Sequence, residues 1–167
     1  MKIGMTSVFV HDPVSAFRFY TEVLGFTEKL FKPKQWLAIV VSPEDPGGTS
    51  LMLEPNHNAI AKRYQQGLYK AGIPSIVFNT EDIHKKYERL LNLGVHFRKE
   101  PVKTKDGIEA LFEDGFGNII QYISPEAYIS IRQLSILVKS IFIFADAFVG
   151  VLPIALRHVI NFVISKY

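Results

Sequence analysis

Residues 6–26, TSVFVHDPVSAFRFYTEVLGF, and residues 75–95, SIVFNTEDIHKKYERLLNLGV, are two versions of one pattern. Each opens with a run of apolar and β-branched residues, meets an acid, and continues with apolar residues at helical spacing up to a glycine. In the first version the strand spans about 3–10, Asp12 offers a side-chain acceptor to the free N–H groups of a helix start, and Pro13 takes the first helical position. Phe17, Tyr20 and Leu24 follow at spacings of three and four, and Gly25 can adopt the left-handed cap. In the second version a strand over about 74–80 precedes Glu81 and Asp82, then Ile83, Tyr87, Leu90 and Leu91 share a face, and Gly94 is the stop.

Further strands follow each helix. The first unit predicts them at 26–32, 35–42 and 49–54, closing in the hairpin-like AIVVSPEDPGGTSLMLEP of residues 38–55. The second predicts them at 95–98, 107–113 and 118–123, closing in EALFEDGFGNIIQYISP of residues 109–125. The order is βαβββ, twice, an α+β domain in which two small units share one sheet. The units span about 1–55 and 73–123, joined by a linking helix over 56–72 with Ile60, Tyr64 and Leu68 at four-residue steps and Gly72 closing it. Tyr64 and Tyr69 read there as packing residues.

Composition limits the function classes. With 48% hydrophobic and 21% charged residues, 167 residues can bury a sizeable core, so the chain is neither disordered nor fibrous. The 19 basic residues are nearly balanced by 16 acidic ones, which argues against nucleic acid as a partner. No cysteine is present, so disulfides, thiol catalysis and thiolate metal sites are excluded. The opening MKIGMTSVFVHD meets Asp12 before a secretory core could form, and a cytoplasmic address is expected.

The motifs FYTEVLGF after an Asp-Pro helix start, SPEDPGGTSLMLEPN at 42–56 and FEDGFGNIIQYI at 112–123 resemble the vicinal oxygen chelate superfamily, with its glyoxalases, bleomycin-resistance proteins and extradiol dioxygenases. The resemblance covers residues 1 to about 124 and implies paired βαβββ modules forming a cup-shaped mixed sheet, with the binding site on the concave side. It also implies a homodimer. In metal-bearing relatives, one position on the first strand and one on the last strand of each module face into the cup. Counting seven back from Asp12 and Asp82, and four on from Gly48 and Gly117, gives Met5, Met52, Ser75 and Gln121 as those four columns.

Thioethers and a neutral hydroxyl are poor ligands for hard or borderline divalent ions. No tight metal site or other cofactor is therefore expected. The alternative is a Zn, Ni, Mn or Fe ion held at Glu54 and Gln121, Glu54 lying two residues beyond Met52 and so on the same strand face. His11, His57, His84, His96 and His158 show neither HxH nor HExxH spacing, and each reads as a surface or capping residue. The GFG at 115–117 precedes a strand, so it reads as a hairpin turn and not a phosphate loop.

The expected pocket comprises Met5, Ser7, Trp36, Met52, Glu54, Ser75, Val77, Phe112 and Gln121. Two function classes compete. One is a protein of the bleomycin-resistance type that takes a small organic molecule into an aromatic and Met-lined cup without chemistry. The other is a lyase, isomerase or dioxygenase, either with the metal just described or metal-free with Glu54 as general base and the Gln121 amide at a developing oxyanion.

From residue 124 to 167 the composition changes abruptly toward a hydrophobic, mainly helical extension. Between Ser140 and Leu156 Asp146 is the only charge in 17 residues, just short of a bilayer span. Three readings stand for this extension: a membrane anchor, a helical hairpin broken near Gly150 and Pro153 that packs on protein, or an end not selected for folding.

Overall fold

Asp12 begins the first helix as its position suggests. Its carboxylate accepts from the N–H groups of Val14 at 2.9 Å and Ser15 at 3.2 Å, and from the Ser15 hydroxyl at 2.6 Å. The Ser15 hydroxyl and N–H hold this carboxyl below its usual range. The structure is a computed structural model and describes residues 1–125, of which Met1–Ser124 form one compact unit.

The first module contains β1 (Met5–Val10), α1 (Pro13–Arg18) running into a wider π turn at Phe19–Val23, β2 (Thr27–Lys32), β3 (Leu37–Val41) and β4 (Ser50–Pro55). A 13-residue helix, α2 (Ala59–Ala71), links it to β5 (Ile76–Asn79), α3 (Ile83–Asn92), β6 (Phe97–Thr104), β7 (Gly107–Glu113) and β8 (Ile119–Pro125). The βαβββ order holds in both halves. The strands form two four-stranded sheets, β1-β4-β3-β2 and β5-β8-β7-β6, and not the single shared sheet expected from the repeat. In each, the first and last strands of the module run parallel.

One hydrophobic core serves both sheets. Ala16, Phe17 and Tyr20 of the first helix meet Val8, Val10, Ala38, Val40, Leu51 and Leu53, and Phe17 stacks flat on Phe31 with ring centroids 3.9 Å apart. Ile83 and Leu90 of α3 join Ala110, Phe112, Ile120 and Tyr122 in the same cluster. Burying one such side chain contributes about 1.5–3 kcal/mol relative to leaving it in water.

Three expectations are corrected. Leu91 is 49% exposed while Leu90 is fully buried, so α3 presents a narrower apolar stripe than its sequence suggests. The stripe Ile60, Tyr64, Leu68 of α2 does not form its buried face: Ile60 is 70% and Tyr64 60% exposed, and the buried residues are Ala61 and Gln65. The expected strand at 95–98 lies instead at Phe97–Thr104, through Pro101. An end strand has spare N–H positions, and the pairing of β6 with β7 shifts register between Lys99 and Val102, around the proline. The extension from 126 onward, with the 140–156 stretch, lies outside the described residues; among the described residues no helix is long and apolar enough to cross a membrane.

Candidate ligand-binding face

Successive side chains of a strand point to opposite faces of its sheet. In β1 and β4 one face carries the core residues Val8, Val10, Leu51 and Leu53. The other, turned away from the core, carries Met5, Ser7 and Phe9 alongside Ser50, Met52 and Glu54. The register sets Ser7 beside Met52 and Phe9 beside Glu54, with Ile39 of β3 on the far side of Met52. In the second sheet Val77 lies beside Gln121. Met5, Ser7 and Val77 are exposed, while Met52, Glu54 and Gln121 are half-buried.

The four counted columns are not in step across the first sheet. Met5 pairs with Ser50, and it is Ser7 that lies opposite Met52. Ser75 precedes β5, and its hydroxyl donates to Asn118 Oδ1 at 3.1 Å, so it is already engaged. Trp36 sits in the turn between β2 and β3 in the left-handed backbone region, φ 53°, with its ring 4.8 Å from that of His57. A bulky residue there is strained, and the ring stays 40% exposed. Phe112 is corrected: it is fully buried in the core against Tyr122 and does not line the open face.

Lys29 was not foreseen. Pairing between β2 and β3 shifts register between Glu28 and Leu30, which makes Lys29 the extra residue of a bulge. Its ammonium donates to Ser50 Oγ at 2.6 Å. Ser50 shares the face of Met52 and Glu54 by strand parity but is buried together with its neighbour Val41, so Lys29 meets this face at its closed end.

The seam between the modules is polar and closed. The Phe9 carbonyl, at the edge of the first sheet, accepts from Asn118 Nδ2 at 2.9 Å and Gln65 Nε2 at 2.5 Å. Gln65 also donates to the Phe116 carbonyl at 3.0 Å and accepts from Asn56 Nδ2 at 2.7 Å. Asn118 donates to Asp114 Oδ2 at 2.7 Å, and the Tyr20 hydroxyl reaches the same oxygen at 3.1 Å. Asp114 Oδ1 takes the N–H groups of Phe116 and Asn118. Burial pushes the Asp114 carboxyl above its ordinary range, against the pull of these hydrogen bonds, and burial next to Asp114 pushes the Tyr20 phenol well up. Gly117, at φ +101°, leaves room for this: a Cβ would come within 2.8 Å of Gln65 Nε2.

A family profile for the glyoxalase/bleomycin resistance protein/dioxygenase superfamily matches residues 2–122. The chain belongs to this superfamily. It is 44% identical over 126 residues to "Uncharacterized protein YurT" of Bacillus subtilis (strain 168), spanning 74% of this chain and 98% of that protein. Among solved structures it is similar to UcmS2, at 28% identity and TM-score 0.63, covering 74% of this chain and 97% of that one. It is also similar to TnmS3, described as an antibiotic binding protein from Streptomyces sp. CB03234, at 25% identity and TM-score 0.58, covering 75% and 96%.

Some members of the superfamily carry a metal, so the donor set on the open face bears on which chemistry is open to this one. The first sheet offers two thioethers, the Ser7 and Ser50 hydroxyls and one carboxylate, the second sheet one amide, and among the described residues no three His, Asp or Glu side chains come together. This set does not fit a divalent ion, which needs three or four nitrogen or oxygen donors. What the face can do is bury apolar surface against Met5, Phe9 and Met52 and engage charge at its two ends. The seam residues were missed from sequence for a physical reason: Gln65 interrupts an apolar helix pattern, and Asp114 and Asn118 read only as hairpin residues. Their i, i+4 spacing around two glycines was the available signal.

Proposed function

We propose that this chain binds a small organic molecule on the open face of β1, β4, β5 and β8 without a tight metal site, as a binding protein of the antibiotic-sequestering kind. The observation that carries the reading is the outward face of β1 and β4, where Met5 lies beside Ser50, Ser7 beside Met52 and Phe9 beside Glu54: two unbranched thioethers and one ring around few polar groups, left partly open outside the core. Thioethers adapt to irregular apolar shapes at little cost. The likeness to TnmS3 supports the same class of ligand. A homodimer and a cytoplasmic address belong to the proposal; β2 and β6 end their sheets and offer pairing edges, and light scattering on the 18.9 kDa chain reads the assembly directly.

Trp36, the only tryptophan of the chain, reports on binding. The full-length protein is titrated with bleomycin and a series of planar polycyclic antibiotics, following Trp36 emission, and the ligand is recovered for mass spectrometry. Saturable quenching with intact ligand is expected, weakened tenfold or more by Met52→Lys. Absence of binding across the series overturns the proposal.

A second reading rests on Glu54, a half-buried carboxylate beside Phe9 and Met52 with no ion pair among the described residues. It would act as a general base in a metal-free reaction, with the Gln121 amide at the oxyanion. Altered ligand in the mass spectrum, lost in Glu54→Gln, decides for it.

A further inference from the structure

Two charges of opposite sign meet opposite ends of β4: Lys29, which reaches its start from β2, and Glu54, which it carries near its end. At the start of β4, Lys29 reaches Ser50, which is 2% exposed, and makes no ion pair among the described residues; the three described pairs involve His96, Arg98 and Lys99. Near the end of β4 stands Glu54, likewise without an ion pair among them. Ser50 and Glu54 are four residues apart on one strand, which places their Cα atoms about 13 Å apart at about 3.3 Å per residue. Between them the face is Met52, flanked by Ile39 and Ser7.

The surroundings of the two ends differ in a consistent direction. Lys29 is held by a bulge and a hydroxyl, so its remaining N–H donors are available to an acceptor. At the Glu54 end, Ala38 pairs with Leu53, so the turn bearing Trp36 lies level with the end of β4, where His57 packs on the indole. An indole 40% exposed at the level of the strand end that carries a carboxylate suits a cation. Neither charge neutralises the other at contact distance, since no ion pair joins Lys29 to Glu54 among the described residues.

We infer that the molecule taken by this face is dipolar: an apolar body lying along β4 over Met52, an anionic group such as a carboxylate or phenolate at Lys29, and a cationic group such as an amine at Glu54 and Trp36. This rests on the binding reading above and specifies its ligand class.

Three dyes test it on the full-length chain: neutral N-phenyl-1-naphthylamine, anionic 1-anilinonaphthalene-8-sulfonate and cationic thioflavin T. Lys29→Met is expected to raise the Kd of the anionic dye about tenfold, equivalent to about 1.4 kcal/mol, and to leave the neutral and cationic dyes within twofold. Glu54→Gln is expected to do the same to thioflavin T alone. Lys29→Arg, which keeps the charge, restores the anionic dye and separates loss of charge from loss of fold. Equal weakening of all three dyes by either substitution, or none, overturns the dipolar reading while leaving an apolar binding face. If the neutral dye fails to bind the wild-type chain, the apolar face itself is overturned and the dipolar ligand with it.

Discussion

The seam and the open face are built from similar side chains and treat them in opposite ways. At the seam, Gln65, Asp114 and Asn118 are buried and each meets several partners; among the described residues no buried side-chain nitrogen or oxygen lacks one. On the open face, Glu54 and Gln121 are half-buried and, among the described residues, make no side-chain hydrogen bond, while Lys29 makes one. A satisfied buried network fixes two modules in place. A partly exposed polar group without a protein partner bonds water, which a ligand can replace. On the proposed reading, the contrast separates the residues that make the fold from those that would meet a ligand.

The sharpest break of this contrast is Asn118→Ala. It removes donors to Phe9 and Asp114 and an acceptor for Ser75, and is expected to lower unfolding stability by about 3 kcal/mol in urea titrations. Asp114→Asn is expected to cost about 2 kcal/mol, since it replaces an acceptor of four hydrogen bonds. It should also change the pH profile. A carboxyl raised above its unfolded value of 3.8 binds more protons in the native state, so its contribution is fully present below pH 3.8 and is lost as pH rises through the folded pKa. That falling limb, read by chemical denaturation from pH 3.5 upward, is expected in the wild type and absent in the variant. Asp12→Ala, away from both regions, should cost about 1 kcal/mol as a lost helix cap. Glu54→Gln should change stability by less than about 0.5 kcal/mol, while weakening cationic ligands. A large stability loss there would place Glu54 with the seam and erase the distinction.

The fold was readable where local chemistry and burial agree. Asp12 with Pro13, and Gly25 and Gly94 at the ends of their helices, mark boundaries because a cap is satisfied by its neighbours in sequence. Met52 and Glu54 shared a face by parity alone. Phe112 was misplaced because EALFE is apolar on both sides of the strand, so its parity has no anchor; the ring went to the core, and Leu111 stayed half-buried. The face of α2 was misread because tertiary hydrogen bonds to Phe9 and Phe116 bury Gln65 in place of Tyr64. Lys29 was invisible because a bulge is set by pairing across strands, and the seam because its partners are up to 109 residues apart.

That separation along the chain carries a consequence for biogenesis. Every strand of the first sheet lies within residues 5–55, so the first module is complete long before residue 118 is made. At about 5–20 residues per second, the ribosome needs about 3–13 s to synthesise the interval between Pro55 and Asn118. Throughout it the Phe9 carbonyl and the outer edge of β1 have no Asn118 to close them, and a nascent chain exposes a free strand edge beside apolar Met5 and Phe9. Gln65, produced ten residues after that sheet ends, reaches the same carbonyl first and can shield it until the second module arrives.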